Sequence, residues 1–305
     1  MKRERLWWET PGWIALAVTV IVLLQARGSA QAPVAVAGEN SLERSGIEDS
    51  QAIPFTLQDG YLIVMEGWIG AHRHLRLLLD TGATHSVLRS DLADEQEFVR
   101  RPTRMVNLDH VLTQELVEVP NFELGPIRIA RLPMLLHDLA YLRETGPGVD
   151  GVIGLDVLRL RSFSIEMGRR RITFGSSRTL RSSARMKLDD AYLAVEVQML
   201  NRPVRLLLDT GVRTILLYRD RLGNRLPELR VEQQIRGASL GGAASLEVVT
   251  LPRVQLNGTN LERRAVLLQN SPAGFLPGVD GYLSLTSLGA RHFSFDFERN
   301  IFSWE

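Results

Sequence analysis

The chain has 305 residues, 45% hydrophobic and 23% charged, which is the balance of a soluble globular protein with room for two ordinary domains. A net charge of +1 leaves no electrostatic footprint for nucleic acid or for a strongly acidic partner. There is no cysteine, so disulfides, cysteine nucleophiles, Cys-based zinc sites and lipidation on Cys are excluded.

Lys2, Arg3 and Arg5 precede an apolar run from Trp13 to Leu24, and the small residues Ala26, Gly28, Ser29 and Ala30 follow. That order is the order of a secretory signal. The run is 12 residues long, short against the roughly 20 needed to span a bilayer. Residues 1–30 are therefore read as a signal peptide cleaved after Ala30, or as an inner-membrane anchor retained through residues 13–24. The basic end stays in the cytosol, so the remainder is expected to be exported, to the periplasm in a bacterium. Residues 31–50, with Pro, Gly, Glu and Ser and no apolar period, read as a flexible tether.

From residue 51 the chain reads as short strands separated by turn signals, an all-β class. Ile53 to Leu57 and Tyr61 to Ile69 flank the hairpin signal Asp59-Gly60. Leu75 to Leu79 is an unbroken apolar run, as expected of a strand buried on both faces. It ends at Asp80-Thr81-Gly82-Ala83-Thr84. Ser90 opens a short helix predicted over Asp91 to Phe98. Met105 to Val119 alternates around Asp109-His110, which reads as a hairpin projecting over a site. Strands are predicted at Phe122 to Ile129 and Leu132 to Leu136. Asp150-Gly151-Val152-Ile153-Gly154-Leu155-Asp156 follows, and Phe163 to Glu166 and Arg171 to Phe174 close this half. The basic turn Arg169-Arg170 is most simply a solvated hairpin tip.

After a Ser- and Arg-rich linker at 175–184, the same order returns. Leu206-Leu207-Leu208 delivers Asp209-Thr210-Gly211, 129 residues after the first copy. A Gly-rich segment containing Gly241 and Gly242 stands where the first half has its projecting hairpin. Val279-Asp280-Gly281-Tyr282-Leu283-Ser284 echoes Val149 to Gly154, and Arg291 to Asp296 echoes Arg161 to Glu166. A repeat this long is a duplicated domain and not a solenoid unit. The expected division is 51–178 and 179–305.

Two halves packed about a pseudo-twofold axis would each deliver one carboxylate to a shared seam. Gly82 and Gly211 would let the backbone turn there without a Cβ. Two carboxylates a few ångströms apart share one proton, and their apparent pKa values split. The ionised member can draw a proton from water while the protonated member bonds a substrate carbonyl. That is hydrolysis of an amide with no covalent intermediate, no metal and no cofactor.

The doubled motif resembles the retropepsin/pepsin superfamily, specifically the retropepsin-like aspartyl proteases of bacteria. The residues that carry the resemblance are Asp80-Thr81-Gly82-Ala83-Thr84 with Asp150-Gly151-Val152-Ile153-Gly154-Leu155-Asp156, over roughly residues 52–305. It implies two acid-protease β-barrel lobes sharing a cleft, with Asp80 and Asp209 as the catalytic pair. It also implies Thr81 and Thr210 tying the two loops together by hydrogen bonds. The second half departs from the pattern at Val212, Ser284 and Thr286, and Arg213 beside Val212 is expected to favour a charged carboxylate.

The expected partner is a peptide or protein in extended conformation, bound as an added strand beneath flaps at Asp109-His110 and Gly241-Gly242. The expected state is a monomer with internal pseudo-twofold symmetry, acting as an endopeptidase on exported proteins. The other reading is a catalytically weak or inactive peptide-binding module of the same fold. Ala83 and Val212 put no hydroxyl after either Gly, which points to a weakly acidic to neutral working range. His72 and His74 read as solvated hairpin residues, because no third ligand is spaced nearby. His85 would line the site or pack. Asn257-Gly258-Thr259 fits a glycosylation acceptor but is more simply a hairpin turn. Asp150 and Asp280 read as turn residues that support the active-site loops.

Overall fold

The computed structural model describes residues 52–94, 98–108, 110–140, 142, 148–175, 177–188 and 192–305, together with the strand backbone at 14–15 and 21–23. The tether, Asp109 and the rest of the expected signal or anchor lie outside the described residues. Ile14–Ala15 pairs in parallel with Val231–Ser239, and Ile21–Leu23 pairs antiparallel with Arg101–Val106. Among the described residues no helix is long and apolar enough to cross a membrane.

The described chain is mostly strand, with a few one-turn helices. In the first half, Leu62–Ile69 and His72–Leu79 form an antiparallel hairpin. His72–Leu79 then pairs in parallel with Gly151–Ile153, which lies antiparallel to Val87–Arg89. Val87–Arg89 pairs in parallel with Ile127–His137, and that strand continues antiparallel into Val111–Leu124 and Arg101–Val106.

The second half repeats these pairings in order. Leu193–Met199 and Arg202–Asp209 form the hairpin. Arg202–Asp209 runs parallel to Gly281–Ser284, which is antiparallel to Ile215–Tyr218. Ile215–Tyr218 runs parallel to Arg264–Leu268, which leads to Gly242–Thr250 and Val231–Ser239.

The two leucine runs explain why these strands are central. Leu77 and Leu79 enter one apolar cluster and Leu78 another, so the strand is buried on both faces. Leu206 and Leu208 share the cluster of Leu77 and Leu79, while Leu207 enters a third. A polar residue at any of these positions would be buried without a partner.

A further sheet joins the halves. Phe163–Glu166 pairs with His292–Asp296, whose other neighbour, Ile301–Trp304, pairs with Ser182–Arg185. Phe163 stacks on Phe295 with centroids 4.7 Å apart, and Phe295 meets Phe302 at 5.0 Å. These aromatics bind the two halves into one core.

Several sequence boundaries change. Among the described residues the helix covers Ser90–Asp94, and Phe98 is not helical. The strand expected over Phe122 to Ile129 is a hairpin turned at Gly125-Pro126, where Gly125 takes a φ of 54°. The linker expected through Ala184 ends earlier, since Ser182–Arg185 is a strand. Asn257 and Gly258 take positive φ values of 43° and 82° between Val254–Leu256 and Thr259–Asn260, the backbone of a tight hairpin turn.

Candidate active site

Both Asp-Thr-Gly turns leave the ends of equivalent strands and meet at the seam between the halves. Thr81 N–H donates to Thr210 Oγ1 at 3.0 Å, and Thr210 N–H donates to Thr81 Oγ1 at 3.2 Å. Each hydroxyl also donates across the seam, Thr81 to Leu208 O and Thr210 to Leu79 O, both at 2.8 Å. Four buried bonds therefore fix one turn against the other. Neither turn can shift without leaving buried polar groups unpaired.

The carboxylates lie directly above this grip, and both are fully buried. Asp80 Oδ1 accepts from Gly82 N at 2.8 Å and Ala83 N at 3.1 Å. Asp209 Oδ1 accepts from Gly211 N at 2.6 Å. Each glycine faces the other half's acid. A Cβ on Gly211 would sit 2.9 Å from Asp80 Oδ2, and a Cβ on Gly82 would overlap the Asp209 carboxylate. Burial holds the Asp80 carboxyl well above the usual carboxylate range, and the neighbouring Asp209 pushes it further through its charge and a side-chain hydrogen bond.

Behind Asp80, Gly151–Ile153 passes so that Ile153 O accepts from Asp80 N at 3.0 Å and Leu155 N donates to Ala83 O at 2.8 Å. Gly154 N donates to Ser86 Oγ at 3.1 Å, and Asp156 accepts from Ser86 N at 2.9 Å and Ser86 Oγ at 2.8 Å. Burial pushes Asp156 up to about 6. The second half uses hydroxyls in this place. Ser284 Oγ donates to Val212 O at 2.7 Å, and Thr286 Oγ1 donates to Arg213 O at 2.5 Å. Ser284 and Thr286 thus replace Gly154 and Asp156 with neutral groups that still brace the turn. Val212 is buried in an apolar cluster with Leu207, Leu216 and Tyr282.

Asp150 and Asp280 stand below the loops. Asp150 accepts from Arg76 N at 2.8 Å and pairs with Arg89. Asp280 accepts from Arg205 N at 3.0 Å and pairs with Arg225. Neither is among the groups that shift Asp80. Gly151 and Gly281 begin the strands that cross beneath the two turns. Thr84 is buried and its Oγ1 lies 3.0 Å from His85 Nδ1, while burial with Arg159 nearby lowers His85 to about 4. Arg213, expected to favour a charged carboxylate, places its guanidinium 5.7 Å from the Tyr61 ring centroid, and its charge also acts on Glu262.

The two long hairpins, Arg101–Val106 with Val111–Leu124 and Val231–Ser239 with Gly242–Thr250, meet tip to tip. Asn107 Nδ2 donates to Ser239 Oγ at 3.1 Å, and Gly241 N donates to the same oxygen at 3.2 Å. Asn107 N donates to His110 O at 2.8 Å, closing the first tip. Tyr218 reaches across from the second half, its hydroxyl donating to Leu108 O at 2.6 Å. Gly242 has a φ of 108°, as the second tip requires. His110 and Gly241 thus belong to touching tips, whereas His72 and His74 lie on a distant hairpin strand, with His74 Nδ1 2.8 Å from Glu66.

Sequence reading did not find Asn107, Ser239, Tyr218, Ser86 or the bracing role of Asp156. The first three each make a contact between halves, which no local pattern encodes. Ser86 carried a faint signal, since it lies six residues after Asp80 in the same loop.

An aspartyl protease family model matches residues 65–157, the stretch holding the first Asp-Thr-Gly turn and the Asp150 to Val157 segment. No curated protein matches the chain. The family match supports an aspartyl protease and, in general terms, peptidase activity.

Proposed function

We propose that the chain is an aspartic endopeptidase with two related lobes, 51–178 and 179–305, and that Asp80 and Asp209 are its catalytic pair. The observation that carries this reading is the reciprocal Thr81–Thr210 bonding, which seats two buried carboxylates against each other's glycines.

In this mechanism the pair holds one proton. The ionised carboxylate takes a proton from a water molecule as its oxygen attacks the scissile carbonyl carbon. The protonated carboxyl gives its proton to the carbonyl oxygen, forming a neutral diol. Collapse of the diol returns that proton to the pair, and the departing nitrogen takes the other. The C–N bond breaks, leaving a carboxyl and an amine. The apolar surroundings of the pair strengthen each electrostatic step. An extended peptide enters beneath the two hairpins and pairs with their strand edges. The working location is the periplasm, reached by a signal or anchor at residues 1–30, and the working state is a monomer.

The test is digestion of a mixed peptide library by the full chain and by Asp80→Asn, with new termini read by mass spectrometry. The reading expects cleavage by the parent and none by the variant. Equal cleavage by both would rule it out.

A further inference from the structure

The first strands of the two hairpins, Arg101–Val106 and Val231–Ser239, each carry a second neighbour besides their own hairpin partner. Ile14–Ala15 pairs in parallel with the second half's strand, Ile14 with Gly237 and Ala15 with Ala238. Ile21–Leu23 pairs antiparallel with the first half's strand, Ile21 with Val106 and Val22 with Met105. One short run of chain thus adds a strand to both hairpins.

The two attachments fall on equivalent positions. Leu78 and Leu207 each lie two residues before an aspartate. Counting from them across the ladders, strand by strand, leads to Arg101 in the first half and to Gln233 in the second. Five residues on, Val106 and Ala238 correspond, as do Met105 and Gly237. Ile21 and Ala15 take the first corresponding pair, and Val22 and Ile14 take the second. Both pairs are centred in sequence on Val18. The directions agree with this symmetry. A twofold axis carries one hairpin strand onto the other with its direction reversed. A single chain crossing that axis must run parallel to one strand and antiparallel to the other, as this one does.

The reading above gives a substrate the same attachments, an extended peptide paired with the strand edges of both hairpins. The tips also lie close to the chemistry. Tyr218 donates to Leu108 O and is bonded to the Tyr282 hydroxyl, on which the charges of Asp209 and Asp80 both act. Both carboxylates are fully buried, as they are under a filled cleft. The run from Ile14 to Leu23 holds no charged residue, and Thr19 is its one polar side chain.

We infer that residues 14–23 take the substrate's place across both hairpins, so that the chain slows itself by filling its cleft with its own aliphatic strand. The inference rests on the endopeptidase reading above and adds to it a regulation and a substrate class, uncharged and aliphatic. The same residues read as a signal or anchor. Taking them into a bilayer, or cutting after Ala30, therefore empties the cleft and frees the enzyme.

The chain has no cysteine, so introduced pairs report the seating cleanly. In the full chain, Ala15→Cys with Ala238→Cys, and separately Leu23→Cys with Arg104→Cys, should each form a disulfide within one chain on mild oxidation. Paired strand positions bring their Cα atoms within disulfide reach. The unpaired combination Ala15→Cys with Arg104→Cys should not. The full chain with Ala15→Pro and Val22→Pro, which removes two N–H groups from the added strand, should cut an uncharged aliphatic peptide at least about tenfold faster than the parent. That is the gain when a cleft free about one-tenth of the time becomes free throughout. It should also prefer that peptide to one of equal length carrying Lys and Glu. Absent crosslinks, or crosslinks only between two chains, would overturn the inference. So would a parent that cuts as fast as the proline variant, or a variant that favours the charged peptide. Crosslinks within the chain without cutting by any of these proteins would overturn the endopeptidase reading, and leave the seating of the strand standing.

Discussion

Thr81 and Thr210 exchange hydrogen bonds across the seam, each hydroxyl accepting the other's backbone N–H while donating to a carbonyl beside the other half's aspartate. The two turns are thereby held as one unit, and the position of each carboxylate depends on both halves.

Replacing Thr81 by valine keeps the shape and removes the hydroxyl. Thr210 N–H and Leu208 O then lose their partner in a buried place. At about 1–3 kcal/mol for each of the two buried groups left unpaired, a loss of about 2–6 kcal/mol is expected in denaturant unfolding. A loss below about 0.5 kcal/mol would mean the grip contributes little to holding the halves together.

Gly82→Ala should fold and be inactive. The added Cβ points at the Asp209 carboxylate, which must move to make room. A displacement near 1 Å at the reacting groups costs on the order of 100-fold in rate. Parent-level turnover by this variant would show that the carboxylates need not be so close.

Asp80→Asn should alter how stability depends on pH. An unfolded aspartate titrates near 3.9, and burial beside Asp209 raises the folded value well above that. Between the two values the folded chain keeps a proton that the unfolded chain releases. Stability from this source is full below about pH 4 and is lost as pH rises through the folded pKa. Asp156, pushed up to about 6, adds a loss of the same sign, while His85, lowered to about 4, opposes it. Those two are common to parent and variant. The stability of Asp80→Asn relative to the parent should therefore rise as pH increases above about 4, as read by urea unfolding. A difference that does not change with pH would contradict the raised Asp80 value.

Tyr218→Phe removes the hydroxyl that donates to Leu108 O and is bonded to the Tyr282 hydroxyl. The first hairpin tip should open more often, so amide hydrogen exchange at 105–111 should quicken while exchange in Leu77–Leu79 stays slow. Equal protection at the tip in both proteins would mean the hydroxyl does not hold it.

Much of this arrangement is legible in the sequence because it is local. The doubled Leu-Leu-Leu-Asp-Thr-Gly run fixes a strand buried on two faces and the turn it delivers. The Asp-Gly segments at 150 and 280 mark the strands that pass beneath. The hairpin around His110 shows through its alternation. What is not legible depends on contacts between distant parts. Ser86 and Asp156 are 70 residues apart and bond directly, and Asn107 meets Ser239 across 132 residues. Tyr218 reads as the apolar end of a short strand, and only the packed halves bring its hydroxyl to Leu108 O. Arg213 follows Val212 in sequence, and its guanidinium lies 5.7 Å from the Tyr61 ring centroid, a contact between halves that no local pattern encodes.

The account rests on Asp80 and Asp209 acting as a single unit, so the most direct measurement is kcat/KM on one cleaved peptide for Asp80→Asn, Asp209→Asn and the double variant. Groups that act as a unit are non-additive, and losing either costs about as much as losing both. The prediction is that each single variant falls to the level of the double. An Asp209→Asn variant that keeps substantial activity, or losses that add across the two sites, would contradict the shared pair.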